Sequence, residues 1–531
     1  MRSKMIMGIT LLISLACTTE NNMRENPTPH QGSQDAAGSG HHADSAREGI
    51  MDVRLDDGDN SMDFLKVSDK PLSTVSIDVD SASFTRSNAY LEQGLRPDPD
   101  QVRIEEFINF LRYDYPTPQE GQIISMNFED LSSPWTPGHR LMKIGLQGTE
   151  ISSGESAELG RNFVFLVDTS GSMEDPKKLP LLKNSLRTLL SNLRASDRIS
   201  LVTYAGSSKV LIEGGSTDNS DSLLSAIDSL GSGGGTNGAE GINTAYALAS
   251  KYFSPGGVNR VIMATDGDLN VGATSSEALV ALAKSHSEQS IYLTILGFGM
   301  YGNDELLESF SNDADGNYYF IGSESEADRI LGSEINSTLV TIAKDVKVQI
   351  EFNPRLVASY RLIGYQNRRL EDDEFNDDSK DAGDMGSGQQ VTYLYEYQLN
   401  DNSEEFSSNF LIEEGVDVDP LIYQEEGVLT EAAARDELLT LKVRYKASQG
   451  GISQLQQTSI TPTELEFADG TSRTKLAVAA ASIASHLAEI EALSKGLDEI
   501  GALLDSPVEG TIGRTSELRD MLMRIQSLQD N

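Results

Sequence analysis

Between Arg161 and Lys344, short uninterrupted apolar runs alternate with segments of helical periodicity, and this alternation constrains the fold more than any other feature of the chain. Residues 162–167 (NFVFLV), 198–204 (RISLVTY), 260–265 (RVIMAT) and 291–298 (IYLTILGF) read as fully buried strands, with 209–213 and 318–321 as shorter ones. Leu182, Leu186, Leu189 and Leu193 share one helical face, residues 223–230, 241–252 and 278–286 carry helical patterns, and a closing helix over 327–344 aligns Leu331, Ile335, Leu339 and Ile342. Strands apolar on both faces, separated by helices, belong to α/β folds with a mostly parallel sheet covered on both sides, here a Rossmann-like arrangement. Ligands of such sheets sit beyond the carboxyl ends of the strands, near a topological switch point.

Polar residues stand at those ends. Asp168-Thr-Ser170-Gly-Ser172 follows the first strand, Thr265-Asp266-Gly-Asp268 follows the middle one, and the Gly-rich segment from Gly231 to Thr236 and Asn237 lies between them. Two carboxylates and three hydroxyls are thus expected on one rim, a hard, oxygen-only donor set suited to Mg²⁺ or Mn²⁺. The Gly-rich segment lacks the Lys and Ser/Thr of a phosphate-binding P-loop. Ser170 or Ser172 as a nucleophile requires a general base, and outside residues 18–62 the histidines are His139, His286 and His486. His286 falls late in a helical segment, where a solvent-facing place is expected, and no GxSxG elbow surrounds the serines.

The pattern DxSxS, a Thr in a Gly-rich loop, then TDG resembles the metal-ion-dependent adhesion site of von Willebrand factor type A domains, over roughly 185 residues. The resemblance implies a Rossmann-like type A domain, no catalytic residues, and metal ligands at Asp168, Ser170, Ser172, Thr236 and Asp266. It further implies Mg²⁺ (or Mn²⁺) with one coordination position left for an Asp or Glu of a partner protein. A metal-activated hydrolase and an envelope protein with a merely stabilising metal remain alternative readings of the same residues.

The first residues concern location. Arg2 and Lys4 precede a short apolar stretch that ends at Ala16-Cys17, too short for a membrane span of about 20 residues. The segment resembles the lipobox of bacterial lipoproteins, with Ser14 where that family prefers an aliphatic residue. Acylation of Cys17 would hold the chain on the cell envelope, at the outer membrane with a periplasmic or surface face. Residues 18–62 are polar and aperiodic and read as a flexible linker. With 42 Lys and Arg against 82 Asp and Glu, the net charge of −40 argues against nucleic-acid binding, which needs a basic surface. Cys17 is the single cysteine, which rules out an intramolecular disulfide and a Cys-based zinc site.

The flanks also carry pattern. Residues 76–84, 103–115 and 343–397 resemble the regions on either side of the central domain in a bacterial family of type A domain proteins. Residues 123–128, 141–146, 346–352, 390–399 and 438–445 alternate apolar and polar side chains, as half-buried strands do. Strands before and after an inserted domain predict one antiparallel β-sandwich built from both flanks. Amphipathic helices are expected at 474–506 and 515–528. The expected organisation is a signal peptide at 1–17, a linker at 18–62, an N-terminal flank at 63–160, the type A domain at 161–344, a β-rich domain at 345–450 and a helical region at 451–531. The acidic stretch 371–384, with eight carboxylates, is expected to be a solvated loop.

Overall fold

The computed structural model describes residues 63–531 apart from 78–80, 152–159, 236–237, 268–275, 300–306, 308–309, 312–315, 379, 381, 401–407, 409, 411–416, 449–450, 507–511 and 530–531. Cys17, Asp78, Asp80, Thr236, Asn237 and Asp268 therefore lie outside the described residues.

The alternating segment forms a six-stranded sheet in the order Asn317–Ile321, Tyr292–Phe298, Val258–Thr265, Arg161–Asp168, Arg198–Tyr204, Ser208–Ser216. All neighbours run parallel except the last pair. Phe163, Phe165 and Val167 pack beneath the helices Leu179–Asn192 and Ser220–Asp228, while Val164 and Leu166 face Gly238–Lys251 on the other side. Burial on both faces explains why these strands are continuously apolar. The chain leaves Arg161–Asp168 to one side, then crosses back to Val258–Thr265 on the other. The switch point lies between these two strands, where Asp168 and Asp266 emerge.

The closing helix differs from expectation. It breaks into Glu324–Asp328, a π turn at Arg329–Ser333 and Ile335–Leu339. Val340 is extended, and Ile342 lies in the strand Thr341–Phe352 instead of on a helical face. Ile342, Val346, Val348 and Ile350 are β-branched, and the strand pairs with both Leu439–Ala447 and Leu72–Ser76, so ladder hydrogen bonds outweigh the helical spacing of Leu331, Ile335 and Leu339.

That strand opens the sandwich. One antiparallel sheet runs Leu65–Lys66, Val357–Leu362, Gln390–Leu399, Arg140–Gly148, Ile124–Ser132; the other runs Arg369–Leu370, Leu72–Ser76, Thr341–Phe352, Leu439–Ala447, Gln454–Ile460. Both sheets draw strands from both sides of the central domain, as the alternating patterns predict. Val391, Tyr393, Tyr395 and Tyr397 enter the core between the sheets, and Leu394 faces the opposite side, the two-residue period of a strand. Two tyrosine hydroxyls tie the sheets by donating to backbone carbonyls, Tyr360 to Leu72 (2.7 Å) and Tyr393 to Ser76 (3.1 Å).

The helices Ser472–Leu487, Leu497–Leu504 and Ile512–Gln529 join Ile104–Phe110 in a second core, which covers Leu131, Leu141, Ile363 and Leu394 on the outer face of the first sheet. The acidic stretch is not simply solvated. Phe375 is buried, Asp372 accepts from Thr74 Oγ1 (3.0 Å), and the Lys347 ammonium donates to the carbonyls of Glu374 and Asp377. Among the described residues, no helix is long and apolar enough to cross a membrane.

Candidate functional site

Asp168 ends its strand fully buried, and its carboxylate is held from two directions. The Ser170 N–H donates to Oδ1 (2.8 Å), and the Thr265 hydroxyl from the neighbouring strand donates to Oδ2 (3.3 Å). Burial first, and then the nearby Asp266 charge, raise its pKa, against the lowering pull of the Ser170 donors. After Asp168 the chain turns through Gly171–Glu174 as a short 3₁₀ helix, which brings the Ser170 and Ser172 hydroxyls to 3.0 Å from each other.

The Gly-rich loop is stitched to this turn by its backbone. Gly233 N–H donates to the Thr169 carbonyl (2.8 Å), and Gly171 N–H donates to the Gly234 carbonyl (3.3 Å). The structure thus brings Asp168, Ser170, Ser172 and Asp266 to one rim, with the loop leading to Thr236 running beside them.

Three residues have roles at the rim that the sequence did not show. Thr265 orients Asp168, as above. Tyr204 pairs in register with Asp168; its buried hydroxyl interacts with Asp168 and Thr265, and burial with the Asp168 charge pushes its pKa well up. Lys178 donates from Nζ to Asp266 Oδ2 (2.8 Å) and to the Ser172 carbonyl (3.0 Å). In the sequence it is one of two adjacent lysines beside a helix start, indistinguishable from a solvated charge.

The donor set fits a hard divalent cation. The two serine hydroxyls, hydrogen-bonded to each other at 3.0 Å, stand at a separation that also suits adjacent ligands of an octahedral Mg²⁺, each at about 2.1 Å. Among the described residues, no group of three or more His, Cys, Asp or Glu is placed to hold a metal, so hydroxyls are needed to complete any site here.

Among the described residues, the histidines supply no base for a serine-hydrolase arrangement. His286 lies in the last turn of the helix Ser276–Ser287, which runs back from the rim to the opposite edge of the sheet; it is half-buried, one face stacked on Tyr246 with ring centroids 4.3 Å apart. His139 lies against Phe64, and His486 contacts Gln529.

Comparison with known proteins agrees with this architecture. The model of the von Willebrand factor type A domain matches residues 162–353, a von Willebrand factor model matches 57–143, and the model of the YfbK C-terminal region matches 337–526. The fold is that of a type A domain protein, a class whose domains are commonly protein-interaction modules. The chain is 38% identical over 406 residues to YfbK of Escherichia coli (strain K12), spanning 75% of this chain and 68% of that protein, and it belongs to the YfbK family. Inter-alpha-trypsin inhibitor heavy chain H2 of Sus scrofa is 27% identical over 162 residues, 29% of this chain and 17% of that one. Among solved structures, a von Willebrand factor type A protein from Catenulispora acidiphila covers 76% of this chain and 91% of its own, at 16% identity and a TM-score of 0.39.

Proposed function

We propose that this protein is a metal-dependent interaction module of the bacterial cell envelope, in which Mg²⁺ (or Mn²⁺) bridges the rim to an Asp or Glu of a partner protein. The ligands are Asp168, Ser170, Ser172, Thr236 and Asp266, with Cys17 as the lipid-bearing anchor. The 3.0 Å spacing of the Ser170 and Ser172 hydroxyls beside buried Asp168 carries the reading. Neutral hydroxyls donate less charge than carboxylates, so the bound ion stays electrophilic towards an incoming carboxylate. The chain's charge of −40 opposes an acidic partner only locally, since charges beyond about 8–10 Å are screened at physiological salt. Among the described residues, no histidine stands at the rim to deprotonate a serine, which supports binding over hydrolysis.

Calorimetric titration of the EDTA-treated chain with Mg²⁺ and Mn²⁺ tests the site. One ion per chain is expected, with uptake abolished in Asp266→Ala that keeps its circular dichroism; no uptake by the native chain refutes the metal. Partners captured from envelope extract should be lost on chelation, and equal recovery would exclude a metal bridge. The anchor has its own test: labelled palmitate should enter the native chain in a bacterial host and not Cys17→Ala.

A further inference from the structure

We propose that Lys178 is a built-in competitor cation of the metal site, its ammonium holding Asp266 until a divalent ion displaces it. This inference rests on the metal-site reading above and adds a determinant of how readily the site loads. The Lys178 ammonium lies 2.8 Å from Asp266 Oδ2 and 3.0 Å from the Ser172 carbonyl, so it links the first and third rim loops. The Asp266 side chain is only 2% exposed, and the bonded ammonium stands on one of its two oxygens. A cation that uses the same carboxylate must share it with, or remove, a positive charge already in hydrogen-bond contact.

The placement of Lys178 is built into the fold. Its backbone is fixed as the residue before the helix Leu179–Asn192: its N–H donates to the Asp175 carbonyl (2.9 Å), and its carbonyl accepts from Leu182 (2.8 Å). The aliphatic stem crosses Gly299, whose φ of +88° favours glycine and whose missing Cβ would stand 2.6 Å from the Lys178 Cε. Rotation about the terminal side-chain torsions is sufficient to carry the ammonium to water, because the lysine side chain is already 23% exposed. The energetics favour this exchange over coexistence. An ammonium and a divalent ion on one buried carboxylate repel each other in a poorly screened setting, whereas the released ammonium is fully rehydrated.

The test is Mg²⁺ titration of the EDTA-treated full chain and of Lys178→Met and Lys178→Arg, joined to acylation of lysines read by peptide mass spectrometry. Lys178→Met should bind Mg²⁺ at least about tenfold more tightly than the native chain, and Lys178→Arg, which keeps the charge, about as the native chain does. In the native chain, Mg²⁺ should raise acylation of Lys178. Unchanged or weaker affinity in a folded Lys178→Met overturns the competitor role and leaves the metal site standing. Unchanged acylation on adding Mg²⁺ to a native chain that takes up the ion overturns it independently, even if Lys178→Met fails to fold. Absence of uptake by every form overturns the metal reading and this inference together.

Discussion

Single residues decide charge balance where the chain buries it. Glu351 is 1% exposed in the strand Thr341–Phe352, and its Oε1 accepts from the N–H groups of Ile422 (2.6 Å) and Tyr423 (2.9 Å). Burial raises its pKa from 4.5 to about 7, in spite of these donors and of Lys442. Between those values the folded chain holds a proton that the unfolded chain releases, so stability falls as pH rises from about 4.5 to about 7 and levels off above it. Glu351→Gln keeps an oxygen for both N–H groups and removes the titration. It should flatten this part of the pH–stability curve and gain up to about 3 kcal/mol over the native chain at pH 8. Urea unfolding at pH 4, 6 and 8 checks this, and parallel curves for the two chains would contradict it.

At the scale of elements, close backbone approach sets the tolerance. The short strand Met385–Gly386 pairs with the start of Thr341–Phe352, and a Cβ on Gly386 would stand 1.8 Å from the carbonyl oxygen of Ser337 in the closing segment. The obstacle is backbone, which cannot rotate away as a side chain does. Gly386→Ala should therefore cost on the order of 2–3 kcal/mol, visible as a lower urea midpoint at unchanged slope. A loss below about 0.5 kcal/mol would mean that the two elements part easily. The broken closing segment belongs to this scale too: Arg329, inside the π turn, bonds Glu326 and Glu334 and donates to the Ser81 hydroxyl (2.8 Å).

For the molecule as a whole, such contacts join the central sheet to its surroundings. Glu334 also meets Arg514 of the last helix, and Arg260 of the central sheet reaches Thr341 at the start of the sandwich strand (3.3 Å). Trp135, the single tryptophan, packs on the helical core and donates from Nε1 to the Ser482 hydroxyl (3.2 Å). Because these contacts couple the domains, its fluorescence and far-ultraviolet circular dichroism should report one coincident unfolding transition, against the separate transitions usual in multidomain chains. Arg329→Met leaves Glu326 without its bonded cation and Glu334 with Arg514 alone, and should cost about 3 kcal/mol, with the two probes separating as the junction loosens. The proposed metal site carries a prediction at this scale: magnesium at a hundred times its dissociation constant should stabilise the native fold by about 2.7 kcal/mol, and Asp266→Ala should show no such gain.

The parallel sheet, the sandwich and the two hydroxyl–carboxylate loops were legible in the sequence because their signals are local. A strand buried on both faces is apolar throughout, as in residues 162–167, and a half-buried one alternates, as in 346–352. The adjacency of Asp168 and Asp266 followed from strand order in such sheets. The end of the closing helix did not follow, because Ile342 satisfies either period and only the pairing of the strand Thr341–Phe352 with its neighbours decided between them. The roles of Lys178, Thr265 and Tyr204 were equally illegible, since what they do at the rim depends on side chains about 30 to 100 positions away in the chain. Periodicity along the chain determined which faces are buried. Only the folded structure, by bringing distant groups within hydrogen-bonding reach, decided which charges meet there.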